Sequence, residues 1–223
     1  MDNELQKVFP ERMVLDLNSP EALESINNFS QIMMMYNCAI REVRTKFEVL
    51  NDELSSTTNR NPIEIIKSRV KKPLSIVNKL ARNGWDVSVD SLMNKLHDVA
   101  GVRVVCSFID DIYRVADMLA AQDDITVLEV KDYIKHPKDN GYRSYHMIIE
   151  IPVFFSNKKQ LIKVEVQLRT IAMDFWASLE HSMKYKKDVK NADAIACELK
   201  ECADLITEAD LRMQQINNKI NEQ

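Results

Sequence analysis

Glycine is nearly missing from this chain. Only Gly84, Gly101 and Gly141 occur in 223 residues. No GxxxxGK[ST] sequence is present, which excludes a P-loop built from backbone amides. A Gly-Ser followed by paired Asp-x-Asp, expected of a general nucleotide-adding transferase, is absent too, so any phosphate has to be held by side chains. Cysteine is equally sparse. Cys38, Cys106, Cys197 and Cys202 form no CxxC pair and have no nearby histidine. That argues against zinc and against a disulfide framework, and fits reduced thiols in a cytoplasmic protein. No run of 18 apolar residues exists to span a membrane, and Met1-Asp-Asn-Glu lacks the basic-then-apolar order of a signal peptide. An excess of positive charge is lacking as well. A net charge of −4 excludes a generic nucleic-acid binder and leaves RNA binding disfavoured.

What is present is concentrated. Lys67, Arg69, Lys71, Lys72, Lys79 and Arg82 crowd into sixteen residues, suggesting a discrete anionic ligand. His136-Pro-Lys-Asp-Asn-Gly-Tyr-Arg-Ser-Tyr-His146 sets a glycine beside aromatic rings and donors, as a nucleotide requires. The apolar periodicity predicts an α+β domain, a mixed sheet with helices packed on it. Residues 1–20 are expected to be irregular. A long helix follows over 21–60, with an unbroken heptad seam from Ile26 to Leu54. Residues 62–82 read as helical with an interruption at Pro73, and 90–97 as a short helix. Strands are expected at 102–108, 125–130, 145–153 and 161–169, the last two joined as a hairpin by Ser156-Asn-Lys-Lys. Helices are expected at 110–121, capped by Asp110, and at 170–186. Ile195, Leu199, Cys202, Ile206, Ala209, Met213, Ile216 and Ile220 form a second seam over 187–223. Regular seams at both ends point to helix packing between subunits.

Three sets of residues carry chemistry. In Lys163-Val-Glu-Val-Gln-Leu-Arg169, the residues Lys163, Glu165, Gln167 and Arg169 share one face. A solvent-facing edge strand alternates in the same way, but His146, Ile148 and Glu150 share a face on the hairpin partner. Asp98, near a helix C-terminus, gains nothing from the dipole and suits a metal better than a cap. With Glu165 it is suited to hold one Mg2+, which takes one or two carboxylates and leaves the rest to phosphate. Asp174 falls in the first turn of a helix whose Ile171, Phe175, Trp176 and Leu179 read as core. His181 reads as structural.

Lys67-Ser-Arg-Val-Lys, His97-Asp-Val-Ala-Gly-Val-Arg-Val, Lys131-Asp-Tyr-Ile, Lys138-Asp-Asn-Gly-Tyr-Arg-Ser-Tyr-His, Val164-Glu-Val-Gln-Leu-Arg-Thr and Met173-Asp-Phe-Trp-Ala-Ser-Leu-Glu-His occur in this order. Together they resemble the (p)ppGpp synthetases of the RelA/SpoT type over roughly residues 61–186. With no room for a hydrolase domain, the chain resembles a stand-alone small alarmone synthetase, nearer the RelP type than the RelQ type. The resemblance implies a nucleotidyltransferase-like sheet of about five strands, a catalytic domain over 61–186 and an oligomerisation helix beyond it. It implies transfer of pyrophosphate from ATP to the 3′-hydroxyl of GDP or GTP, and a homotetramer. Arg69 and Arg103 would sandwich adenine, while Lys71, Lys79 and Arg82 would hold the ATP phosphates. Asp98 and Glu165 would bind Mg2+, with Glu165 also the base. Tyr142 would stack on guanine and Asp174 would read its edge. Lys131, Lys138, Arg143, Ser144, His146 and Gln167 would line the acceptor and the transferred group, with His146 and Arg143 beside the reacting atoms. An RNA-binding regulator, or an oligomeric scaffold with a decayed site, is the alternative. The intact Gly-Tyr-Arg-Ser-Tyr-His run and both carboxylates weigh against decay.

Overall fold

The computed structural model describes residues 20–58, 60–184 and 192–222. The expected irregular stretch 1–20 lies outside them, save Pro20. The order is α1 (Pro20–Thr58), β1 (Ile63–Val70), α2 (Pro73–Arg82), α3 (Val89–Lys95), β2 (Ala100–Cys106), α4 (Ile109–Ala120), β3 (Thr126–Asp132), β4 (Tyr145–Phe154), β5 (Lys159–Thr170), α5 (Ile171–Lys184) and α6 (Ala192–Asn221). Five strands form one mixed sheet in the order β1-β2-β5-β4-β3, with only β2 and β5 parallel. This is the expected α+β fold.

Alternation decides the two sides of the sheet. Val102, Val104, Val164, Val166, Leu168, Met147, Ile149 and Ile151 are buried under α1 and α4, which pack on these strands. Such burial stabilises by about 25 cal/mol per Å² of apolar area. The seam of α1 is spent here: Tyr36, Val43, Phe47, Leu50 and Leu54 are all buried in the chain's own core. Its regularity is therefore not a subunit-pairing signal, because one apolar stripe meets one partner surface.

Three local expectations are corrected. Ile171, Phe175 and Leu179, expected in the core with Trp176, are exposed, because the face of α5 that packs inward is Met173, Trp176 and Ala177. Residues 63–70 form a strand, not a helix. Ile63, Ile65, Ile66 and Val70 are β-branched and fit a pleat, and the strand pairs antiparallel with β2, Arg69 opposite Gly101 and Lys67 opposite Arg103. The alternation of Lys67, Arg69 and Lys71 was a period-two signal. Asp110 is not a cap; the position before α4 is Phe108, which has no side-chain cap bond. Asp110 instead pairs with Gln214 of α6: its backbone N–H donates to Oε1 at 3.1 Å and its carboxylate accepts from Nε2 at 2.8 Å.

Candidate active site

The face of the sheet turned away from α1 carries the polar residues in register. Across it, Lys67 stands opposite Arg103 and Arg103 opposite Gln167; Gln167 pairs with His146, and His146 with Lys131. One step along, Arg69, Gly101, Glu165, Ile148 and Glu129 form a second row. Residues paired across neighbouring strands point to the same side, so five strands deliver two transverse rows of ligand-type side chains. Gly101 sits in the second row where a side chain would fill the space: a Cβ there would meet only the Arg69 carbonyl oxygen, at 3.9 Å.

Two clefts open on this face. The first, about 200 Å³, is lined by Lys67, Arg69, Asp98, Gly101, Arg103, Glu165 and Gln167, among others. The second, about 190 Å³, is lined by Glu129, Lys131, Tyr133, Lys138, His146, Ile148 and Glu165. Glu165 borders both. In the first cleft Asp98 Oδ2 accepts from Lys71, and from Lys79 at 2.7 Å. In the second, Lys138 Nζ lies 4.6 Å from the Tyr133 ring centroid and 5.0 Å from that of Tyr142. A charged donor between two aromatic faces is a ready site for a planar base bearing phosphates.

Between the clefts runs a hydrogen-bonded chain. Arg169 Nη2 donates to the Tyr142 hydroxyl at 2.6 Å, and that hydroxyl lies 2.8 Å from His146 Nε2. His146 Nδ1 faces Glu165 Oε1 at 3.5 Å, and Gln167 Nε2 donates to Glu165 Oε2 at 2.9 Å. The hydroxyl can accept from Arg169 and donate its one proton to Nε2, the arrangement that presents His146 Nδ1–H to Glu165.

A family model described as a region found in RelA / SpoT proteins matches residues 68–190, across both clefts. The chain belongs to the RelA/SpoT family. It is 44% identical over 189 residues to the GTP pyrophosphokinase YwaC of Bacillus subtilis, covering 85% of this chain and 90% of that one. Among solved structures it is similar to small alarmone synthetase 2 of Bacillus subtilis, with TM-score 0.76 and 44% identity over 86% of this chain and 99% of the other. It is also similar to small alarmone synthetase 1 of the same organism bound to its product pppGpp, with TM-score 0.79 and 31% identity over 86% and 98%.

Within this RelA/SpoT domain most of the expected site residues converge. Arg69, Asp98, Arg103, Glu165 and Gln167 line the first cleft, and Lys131, Lys138 and His146 the second. Lys71 and Lys79 reach the first through Asp98. Tyr142 stands on the hydrogen-bonded chain between them. Arg82, in the last turn of α2, is exposed. Three residues are placed otherwise. Arg143 is buried and turned toward α6, its Nη1 3.7 Å from Asp210 Oδ2. Strand parity explains this, since Arg143 counts with the side of Tyr145 and Met147, opposite His146. Ser144 is fully buried, donating to the Leu168 carbonyl at 3.2 Å and accepting from Arg169 Nε at 3.3 Å. Asp174 is buried as a shared counterion: Oδ1 accepts from Arg103 and Arg169, both at 3.1 Å, and Oδ2 faces Lys67 at 3.4 Å.

Sequence reasoning left Arg169 and Tyr133 without a role. Arg169 was legible as the last polar residue of the alternating strand, and Tyr133 as the aromatic two places after Lys131.

The residues present fit a divalent cation. Asp98 Oδ1 is buried without a hydrogen-bond partner, an arrangement that is costly unless something else ligates it. Asp98 and Glu165 share the first cleft, and no group of three or more metal-ligating residues exists among the described residues. Two carboxylates with the remaining positions open is the donor set Mg2+ uses beside phosphates.

Burial pushes the Asp98 carboxyl up, but Lys71 and Lys79 outweigh it and hold it below its ordinary value. Burial acts likewise on Glu165, where His146 outweighs it, helped by Gln167 and opposed by the charge of Asp98. A carboxyl depressed in the fold keeps its charge, and the stability that charge contributes, above the ordinary value; both are lost as pH falls through the lower folded value. In the ligand-free protein, the stability contributed by the Asp98 charge, read by urea denaturation of wild type against Asp98→Asn, is therefore expected to stay level from about pH 8 to about pH 5 and to be lost below about pH 4. A contribution that changes between pH 7 and 5 would show a raised carboxyl instead.

Proposed function

We propose that this protein is a GTP pyrophosphokinase that transfers the β,γ-pyrophosphate of ATP to the ribose 3′-hydroxyl of GDP or GTP, forming (p)ppGpp and releasing AMP. The observation that carries the reading is Glu165 standing at the border of two clefts. One has a basic and carboxylate lining suited to a triphosphate; the other has an aromatic and cationic rim suited to a second nucleotide. A group placed there can act on an atom of each substrate.

The ATP side is Arg69 and Arg103 for the adenine and Lys71, Lys79 and Arg82 for the phosphates, with guanidinium planes able to stack on a base. On the acceptor side, Tyr142 offers its ring, Lys131 and Lys138 their charge, and His146 and Gln167 orient Glu165. The acceptor oxygen bonds to the β-phosphorus as the bond from that phosphorus to the α-phosphate oxygen breaks, and the hydroxyl proton passes to Glu165. A carboxylate held low is a weak base, but phosphoryl transfer asks mainly for positioning and charge neutralisation. Mg2+ held by Asp98 and Glu165 would supply part of that neutralisation at the phosphate oxygens. Lys71 and Lys79, now paired to Asp98, are the cations that would turn to phosphate. What the named relatives act on, and the pppGpp bound to one of them, support the same reaction class.

The test is direct. Purified protein with ATP, Mg2+ and either GDP or GTP is expected to release AMP in step with a 3′-pyrophosphorylated guanosine nucleotide. No AMP release with either acceptor would overturn the proposal.

We further infer a cytoplasmic homotetramer, with 187–223 serving oligomerisation beside the catalytic segment 61–186. No helix among the described residues is long and apolar enough to cross a membrane, and all four cysteines are free. Support for assembly comes from α5 and α6. Ile171 and Phe175 of α5 and Met213 of α6 are exposed and line an apolar groove of about 450 Å³ between the two helices. Contiguous exposed apolar area of this kind marks interaction surfaces. Light scattering at micromolar concentration is expected to give the mass of four chains, and a monomer mass would refute the inference.

A further inference from the structure

Arg143 has no part in either cleft, yet its burial needs a reason. A buried guanidinium is costly unless paired, and its Nε has no hydrogen-bond partner. Its neighbouring charges are Asp210 of α6 on one side and Asp132, with the Tyr113 hydroxyl, on the other. Asp210 is itself buried and fixed: its Oδ2 accepts from Thr170 Oγ1 at 2.8 Å, and that oxygen accepts from the Met173 N–H at 3.1 Å at the start of α5.

The same helix touches the loop at two more places. Gly141 has φ +84°, and a Cβ on it would stand 2.4 Å from the Ala203 Cβ. No other residue fits both the backbone angle and the contact. Tyr142 packs on the apolar cluster of Trp176, Ala177 and Ala203, which Trp176 Nε1 ties to α6 by donating to the Leu199 carbonyl at 2.9 Å. Three consecutive residues, Gly141, Tyr142 and Arg143, thus rest on α6 or the cluster it completes. The helix is pinned on either side of them, by Leu199 to α5 and by Gln214 to α4.

We propose that α6 is the back wall of the acceptor cleft, and that Arg143 and Asp210 are a positioning pair that sets Tyr142, without contact to a nucleotide. This rests on the reading of Tyr142 as the acceptor-base platform. A segment between two strands holds one conformation only where something over-determines it, and displacements near 1 Å at a reacting site are costly in rate. Burial outweighs Thr170 and Arg143 and raises the Asp210 carboxyl above its ordinary value, as expected of a group placed for packing and not for solvent. The seam read as an interface is only partly that: Leu199 and Ile206 belong to the inner cluster, while Met213, Ile216 and Ile220 face out.

The experiment is steady-state kinetics on the full chain with each substrate varied in turn. Asp210→Leu strands the Arg143 charge and is expected to raise the acceptor KM about ten-fold, with the ATP KM unchanged within about two-fold. Arg143→Met combined with Asp210→Leu replaces the pair by apolar groups and is expected to return the acceptor KM to within about three-fold of wild type. A double variant that is folded but still impaired would overturn the proposal by showing that Arg143 acts on the ligand. An unchanged acceptor KM in Asp210→Leu would also overturn it. Should Asp210→Leu lower the melting temperature too far to assay, Ala203→Val touches no charge and crowds Gly141 and the cluster under Tyr142. The same rise is expected there, and its absence overturns the proposal. Tyr142→Ala separates the two readings. If it leaves the acceptor KM unchanged, the assignment of the platform fails whatever α6 does; if it raises that KM while the α6 variants do not, the positioning role alone fails.

Discussion

Glu165→Gln is expected to lower kcat/KM by about 10³–10⁴-fold, equivalent to about 4–5.5 kcal/mol of transition-state stabilisation. The substitution keeps the shape of the side chain and an oxygen able to accept from Gln167 Nε2, the bond seen at 2.9 Å. It removes the charge that the first cleft directs toward a cation and the basic oxygen that borders the second. The fold is expected to lose little, because the favourable contact of the charge with His146 is partly offset by burial and by its repulsion from Asp98. The melting temperature should therefore stay within about 2 °C of wild type, which separates a chemical from a structural cause. Activity within about three-fold of wild type would sink both roles assigned to Glu165.

Arg169→Met is the second large effect, and it reaches stability as well as catalysis. Arg169 is buried and donates to Ser144 Oγ at 3.3 Å, Asp174 Oδ1 at 3.1 Å, the Tyr142 hydroxyl at 2.6 Å and Gln167 Oε1 at 3.3 Å. Its Cζ also lies 5.1 Å from the Tyr142 ring centroid. Methionine fills much of the volume and makes none of these bonds. Breaking a buried pair from one side costs about 3–5 kcal/mol. Here Arg103 and Lys67 remain on Asp174, so a loss of about 2–4 kcal/mol is expected. For a chain of this size that lowers the melting temperature by about 5–12 °C. The acceptor KM is expected to rise at least about ten-fold, and the ATP KM far less. An acceptor KM within about three-fold of wild type in folded Arg169→Met would mean that Arg169 serves only the fold.

Much of the site was legible because strand alternation is a strict rule. Once Tyr145–Val153 and Leu161–Arg169 are read as a hairpin, His146 and Ile148 must share a face with Glu165 and Gln167. The same rule, extended back through the loop, puts Arg143 on the opposite side, where the structure has it. The resemblance groups Arg143 with the ligand residues because the motif reads as one ligand-binding run. The segment 63–70 failed for another reason. Its apolar residues at 63, 65, 66 and 70 suit a helix face as well as an edge strand, and over eight residues periodicity alone does not separate them.

The sequence by itself determined the class of protein: it has no P-loop, and it carries an ordered set of motifs specific to RelA/SpoT synthetases. It also determined which residues on each strand share a face, since that follows from covalent geometry alone. Only the tertiary structure decided which strands are neighbours, and hence that Arg69, Gly101 and Glu165 lie in one row across three strands. It decided too that Arg169 and Asp174, five residues apart across a strand-to-helix junction, meet as an ion pair. And it sent the two seams to different fates, one into the chain's own core and one largely outward. Local periodicity fixes a direction for each side chain; what lies in that direction depends on long-range packing.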